Sequence, residues 1–161
     1  MSDRTLRLAI AVTAVAGVAV SGYLTWVHYH PAALVCTAGG GCETVQRSQY
    51  AALIGVPIAL CGLVTWVAVL GLVAWDTELA RALVAAIAVS ALGFAAYLVI
   101  LQLTVIHATC VWCMVNDIVL VPALALVAGY RALRATRSSE PEGGASTARG
   151  RGSPSGCRRL P

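Results

Sequence analysis

Four long apolar stretches, separated by short polar breaks, organise this chain. They run approximately over Leu6–Val27, Tyr50–Ala74, Leu79–Leu103 and Cys110–Tyr130. A helix needs about 20 residues to cross the hydrocarbon core of a bilayer, and each stretch reaches that length. None alternates apolar and polar positions as a half-buried strand does, and lipid admits only helices and closed barrels. The expected fold is an all-α membrane protein: a four-helix transmembrane bundle with a polar loop between helices one and two. The first stretch is too long for the core of a secretory signal, and no small-x-small cleavage site follows it. It is expected to remain as a signal anchor.

Composition agrees with the pattern. Of 161 residues, 59% are hydrophobic and only 11% charged, and the mean hydropathy is +0.82, outside the range of an ordinary soluble domain. The net charge of +4 could suggest nucleic acid as a partner. Every basic residue is Arg, however, and these lie in tails and short loops, where they set orientation. Arg4, Arg7, Arg81, Arg131, Arg134 and Arg137 flank one side and Arg47 alone the other. Six against one predicts that both termini and the loop near Trp75–Arg81 are cytoplasmic. The loops His28–Gln49 and Gln102–Thr109 are then extracytoplasmic, in an inner or plasma membrane, and no nucleic-acid partner is expected. From Arg131 the composition turns to Arg, Ser, Gly, Glu and Pro, which cannot bury enough apolar area to offset ordering. The chain therefore divides into a membrane domain, 1–130, and a disordered cytoplasmic tail, 131–161.

Two cysteine pairs fall on the outer side of that topology, where disulfides form and persist. Cys110-Val-Trp-Cys113 heads the fourth stretch, and a three-residue spacing along a helix puts both thiols on one face, close enough to join. A helix N-terminus favours the thiolate through its dipole and free N–H groups. Cys36-Thr-Ala-Gly-Gly-Gly-Cys42 is a flexible loop pair that can close and reopen a disulfide. Alternative readings are a structural disulfide, or a zinc site that recruits two more ligands from His28, His30, His107 or the loop cysteines. A c-type haem is disfavoured because Met114 stands where the attachment motif needs His. Two dithiols at one face suit electron transfer through mixed disulfides. Cys61, within the second stretch, reads as a buried inert hydrophobe, and Cys157 as a reduced thiol in the tail.

The ordered set of Cys36, Cys42, Ser48, Gly55-Val56-Pro57 and Cys110-x-x-Cys113 on four spans resembles the bacterial homologues of vitamin K epoxide reductase. The resemblance covers roughly Leu6 to Tyr130. It implies a membrane thiol-disulfide oxidoreductase that oxidises a secreted thioredoxin-fold dithiol protein and reduces a lipid quinone, menaquinone before ubiquinone. In that scheme Cys36 and Cys42 exchange with the partner, Cys42 passes electrons to Cys110, and Cys113 faces the quinone. Ser48 matches the loop Ser of the family, near an amphipathic segment, Thr44–Leu53, expected over the bundle mouth. Asp117 stands where vertebrate members carry Tyr and Ile58 where they carry Asn, so epoxide opening is not carried over. The polar tail after Tyr130 leaves no room for a fused thioredoxin-like domain, and the partner is expected to be a separate protein.

Several further residues are candidates around the quinone. Asp117 follows Cys113 by one turn on nearly the same face, and an acid inside a span marks a functional site by default. It could bond a quinone carbonyl or supply protons, or simply pair with Asn116, Gln102 or His107. Asn116 is a candidate contact beside it. His107 could relay protons at the mouth, and Trp112 could wall the pocket. Trp26, Trp66, Trp75 and Trp112 lie mostly near span ends, where interfacial anchoring is the expected role. No metal is expected at the site.

Overall fold

The computed structural model describes residues 2–31, 35, 41–53 and 55–138. Among them four helices are long and apolar enough to cross a membrane: Asp3–Tyr29, Ile58–Trp75, Glu78–Ile106 and Val111–Arg137. The protein is an all-α, multi-pass membrane bundle.

Helix α1 (Asp3–Tyr29) begins at Ser2, whose Oγ accepts the Thr5 N–H at 3.3 Å, satisfying a donor that the first turn leaves open. Its buried stripe, Leu6, Ile10, Ala14, Gly17, Ser21, Leu24 and Val27, recurs every three or four residues, the helical period of a packed face. The outward residues are also apolar, among them the exposed Leu8, Val12 and Val15, as a lipid-facing surface requires. Helix α1 packs chiefly on α3 (Ile58–Trp75), and the contact depends on Gly17. A Cβ at that position would stand 2.2 Å from Trp66 Cδ2, so only Gly lets the indole approach the helix this closely. Thr13 and Thr25 of α1 and Thr65 of α3 each return their hydroxyl to the carbonyl four residues back, so none of these three needs water inside the bilayer.

The second span starts at Ile58 rather than at Tyr50. Apolar composition alone carried the expected span back through residues that instead form a turn and a two-residue antiparallel ladder, β1 (Ala52–Leu53) with β2 (Val56–Pro57). Gly55 has φ +81°, a conformation that glycine takes without steric cost. Pro57, at φ −57°, directly precedes the helix.

A tight turn joins α3 to α4 (Glu78–Leu101), with Asp76 left-handed at φ 48° and Thr77 capping the Ala80 N–H at 3.1 Å. The third span continues as a π-helical turn, Gln102–Ile106, and stops at His107, which is left-handed at φ 53°. The fourth span has three parts: α5 (Val111–Met114), a π-helical segment Val115–Leu120, and α6 (Val121–Ser138). Pro122 accounts for the change of winding, since it cannot donate to the turn before it. The N–H of Val121 instead reaches back to Asn116 O.

The end of the bundle opposite the paired cysteines is closed by ions. Arg131 grips Asp3 with two bonds of 2.8 Å and Asp76 with one of 2.6 Å. Arg7 and Arg81 also reach Asp76, at 3.3 and 3.1 Å. Helix α6 runs on to Ser138, and Arg131 is buried at 6% exposure. Charge and composition mark residue 131 as the start of a tail, but a paired guanidinium can be buried, and the residues that follow it are sound helix formers. Residues 139–161, with Cys157, lie outside the described residues.

Two expectations about single residues also change. Trp66 is buried at 3% exposure and belongs to the core, whereas Trp26 and Trp75 are exposed near helix ends as an interfacial belt would need. Cys61 is exposed, not buried. Helix α3 is apolar all round, so its sequence gave no sign of which face turns outward.

Candidate functional site

The cysteines gather where α1 ends, α4 ends and α5 begins. Helix α2 (Gly41–Arg47) lies there and buries Cys42 and Val45. Cys42 and the fully buried Cys110 belong to one apolar cluster with Leu24, Val27 and Val45, and Cys113 packs against it. Main-chain contact sets this placement. A Cβ on Gly41 would stand 2.5 Å from Thr109 O and 2.8 Å from Thr109 N, so the absence of a side chain at 41 lets the residue before Cys42 touch the residue before Cys110. Cys42 is disulfide-bonded, while Cys110 and Cys113 are free thiols. Cys36, the expected second member of the loop pair, lies outside the described residues.

Cys110 caps α5. Its backbone is extended, and its Sγ accepts the Cys113 N–H at 3.4 Å. Its own N–H donates to Gln102 Oε1 at 3.0 Å. Hydrogen bonding from the Cys113 side chain, joined by the N–H groups of Cys113 and Trp112, outweighs burial and the Asp117 charge and holds the Cys110 thiol down at about 7. A thiol so placed is shifted toward the thiolate, the form that attacks and leaves in disulfide exchange.

Cys113 opens on a cavity of about 100 Å³, bordered also by Ser48, Tyr50, Gln102, Asn116 and Asp117. The Ser48 hydroxyl donates to Val45 O at 2.8 Å, which ties the turn after α2 to the helix. Asp117 is 7% exposed and takes a 2.9 Å bond from Asn116 Nδ2, while Asn116 Oδ1 accepts the Trp66 indole N–H at 3.1 Å. Of the possible partners for Asp117, the structure selects Asn116; Gln102 is engaged with Cys110, and His107 turns its Nδ1 to Val105 O at 3.1 Å. A larger groove of about 540 Å³ runs between α3 and α4 past Cys61, Phe94 and Leu98, and meets the smaller cavity at Asn116 and Asp117. Both π-helical segments border this region, as such local widening of a helix often does at functional sites.

Two sequence candidates lie off the cavity. His107 is exposed at the end of the third span. Trp112 turns instead to the loop, with its Nε1–H on Val35 O at 3.0 Å and its ring edge-on to Tyr23 at 5.2 Å. Gln102, Trp66 and Tyr23 were not singled out as site residues. Gln102 carried a usable signal, since a polar amide at the end of an apolar span needs a partner as much as Asp117 does. Among the described residues, no three His, Cys, Asp or Glu side chains gather as metal ligands.

Compared with known families, residues 8–128 match the model of the Vitamin K epoxide reductase family.

Proposed function

The chain belongs to the vitamin K epoxide reductase family, whose members are membrane oxidoreductases of disulfide bonds, and on that premise we propose that it moves electrons from a secreted dithiol protein to a lipid quinone. The observation that carries this reading is the shared burial of Cys42 with Cys110 beside a Cys113 that opens on a cavity. The partner, with a thioredoxin fold, reduces the Cys36–Cys42 disulfide and is itself oxidised. The Cys42 thiolate then attacks Cys110 Sγ; the Cys110–Cys113 bond breaks and Cys113 takes the electron pair. Attack by Cys36 on Cys42 restores the loop disulfide and frees Cys110. Two electrons have moved inward.

The quinone supplies a two-electron, two-proton sink. The residues at the cavity suit it: the apolar groove between α3 and α4 matches an isoprenoid tail, and the amide of Asn116 and the carboxyl of Asp117 offer polar partners for a ring oxygen. Asp117 is placed to hold a proton for the developing quinol, and its tie to Asn116 orients it. Menaquinone is favoured over ubiquinone. The active face is extracytoplasmic and both termini are cytoplasmic, in keeping with the Arg bias.

The test uses purified protein in quinone-loaded vesicles with a reduced thioredoxin-fold protein. Cys113→Ala should abolish quinol formation, while Cys61→Ala and Cys157→Ala retain it. Wild-type turnover in Cys113→Ala would sink the proposal. Asp117→Leu with unchanged quinone kinetics would remove Asp117 from it. Stoichiometric zinc released by thiol reagents, without quinone-dependent thiol oxidation, would favour a non-catalytic metal site.

A further inference from the structure

Trp112 sits between the two cysteines of the membrane pair, yet its side chain serves the loop. Its Nε1–H donates to Val35 O at 3.0 Å, and the N–H of the same Val35 donates to Tyr23 Oη at 2.8 Å. The two rings support each other edge-on at 5.2 Å. Both main-chain groups of Val35 are therefore held, one by each ring, although the Val35 side chain is 63% exposed. The grip is on the backbone and not on the valine. Val35 immediately precedes Cys36 in sequence. At the other end of the loop pair, Gly41 lies on Thr109 beside Cys110. The segment that bears the loop cysteines is thus fastened at both ends to the start of the fourth span.

We propose that Tyr23 and Trp112 form a clasp on Val35 that positions the loop pair for exchange with Cys110, and that Trp112 is a positioning residue for this step and not a quinone contact. The inference rests on the relay proposed above. Reaction within one chain depends on how often the reacting sulfurs meet, and tying both ends of a connecting segment raises that frequency without altering the chemistry. The step served is the attack of Cys42 on Cys110, with Cys113 as leaving thiolate and Cys36 regenerating the loop disulfide; the electrons come from the secreted dithiol.

Trp112→Phe keeps an aromatic ring at the position that meets Tyr23 and removes the indole donor, together with part of the indole's packing on the Cys42–Cys110 cluster. Tyr23→Phe keeps the ring and removes the hydroxyl that accepts the Val35 N–H. Two rates are measured on the full-length protein in vesicles. One is reduction of the Cys110–Cys113 disulfide by the reduced partner, read by acid quench and thiol labelling. The other is reoxidation of chemically pre-reduced Cys110–Cys113 by added quinone, read as quinol. Each variant should slow the first rate about three- to tenfold and leave the second within twofold of wild type. The double variant should fall short of the product of the two single effects, because both bonds hold the same residue. Equal slowing of both rates would place Trp112 at the quinone step, and no slowing of the first would show the clasp to be idle; either overturns the proposal. A normal quinone rate also shows that a variant has folded. If the wild type lacks the first reaction altogether, the relay fails and not the clasp alone.

Discussion

The backbone N–H of Cys110 donates to Gln102 Oε1 at 3.0 Å, across the bend between the third and fourth spans. Both residues are buried, so a donor deprived of its acceptor there costs about 1–3 kcal/mol. Gln102→Leu should lower the unfolding temperature in detergent and loosen α5, with faster amide exchange at Cys110 and Cys113. Gln102→Glu retains an acceptor but sets a negative charge beside the thiol. It should raise the pH at which Cys110 is alkylated, and an unmoved midpoint would refute the geometry.

Cys110 should be the first thiol to react as pH rises. Its alkylation, followed site by site by mass spectrometry, is expected to reach half its maximal rate at a pH below the value of about 8.5 for an ordinary thiol. The folded value lies below the unfolded one. The thiolate therefore stabilises the reduced protein fully above the unfolded value, and this contribution fades as pH falls toward 7. Thermal melts of the reduced protein between pH 6 and 9 would reveal the slope.

Asp76 joins three arginines at the far end of the bundle. Burial would push its carboxyl up, but hydrogen bonds from Arg81 and Arg131 and their charges prevail and hold it below the ordinary carboxylate range. Its stabilisation is therefore complete above about pH 4 and lost as pH falls through the lowered value. Asp76→Asn removes the charge while keeping a residue that tolerates φ 48°. It should cost about 2–3 kcal/mol, less than a fully buried pair, because the Asp76 side chain is 19% exposed. Asp3→Asn, at a carboxylate 57% exposed, should cost less, and chemical unfolding of the two variants would rank them.

His107 ends the third span in a left-handed conformation at φ 53°, where glycine is the favoured residue. His107→Gly should be neutral or stabilising by about 0.5–1 kcal/mol. Quinone reduction should be unchanged, because His107 does not border the cavity of Cys113. A loss of quinol formation would restore it as a proton relay.

The four spans were legible because lipid demands long apolar helices and little else can produce them. Their limits were less so: apolar Tyr50, Ala51 and Ala52 look like helix, and only the turn around Gly55 and Pro57 moves the start to Ile58. The membrane pair and Asp117 stood out as reactive or charged groups in apolar surroundings. Trp66 did not, because a helix apolar on every face gives no clue to the one that turns inward. The ion cluster was hidden for another reason. Arg131 and Asp3 are 128 positions apart, and arginines at span ends are explained by orientation alone until their partners are seen.

The contact of Gly41 with Thr109 is made by main-chain atoms on the Thr109 side and by a missing side chain on the other. The approach of α2 to the membrane pair therefore depends on position 41 carrying no side chain. In the proposed relay, a side chain there would move Cys42 away from Cys110 while leaving both thiols in the chain.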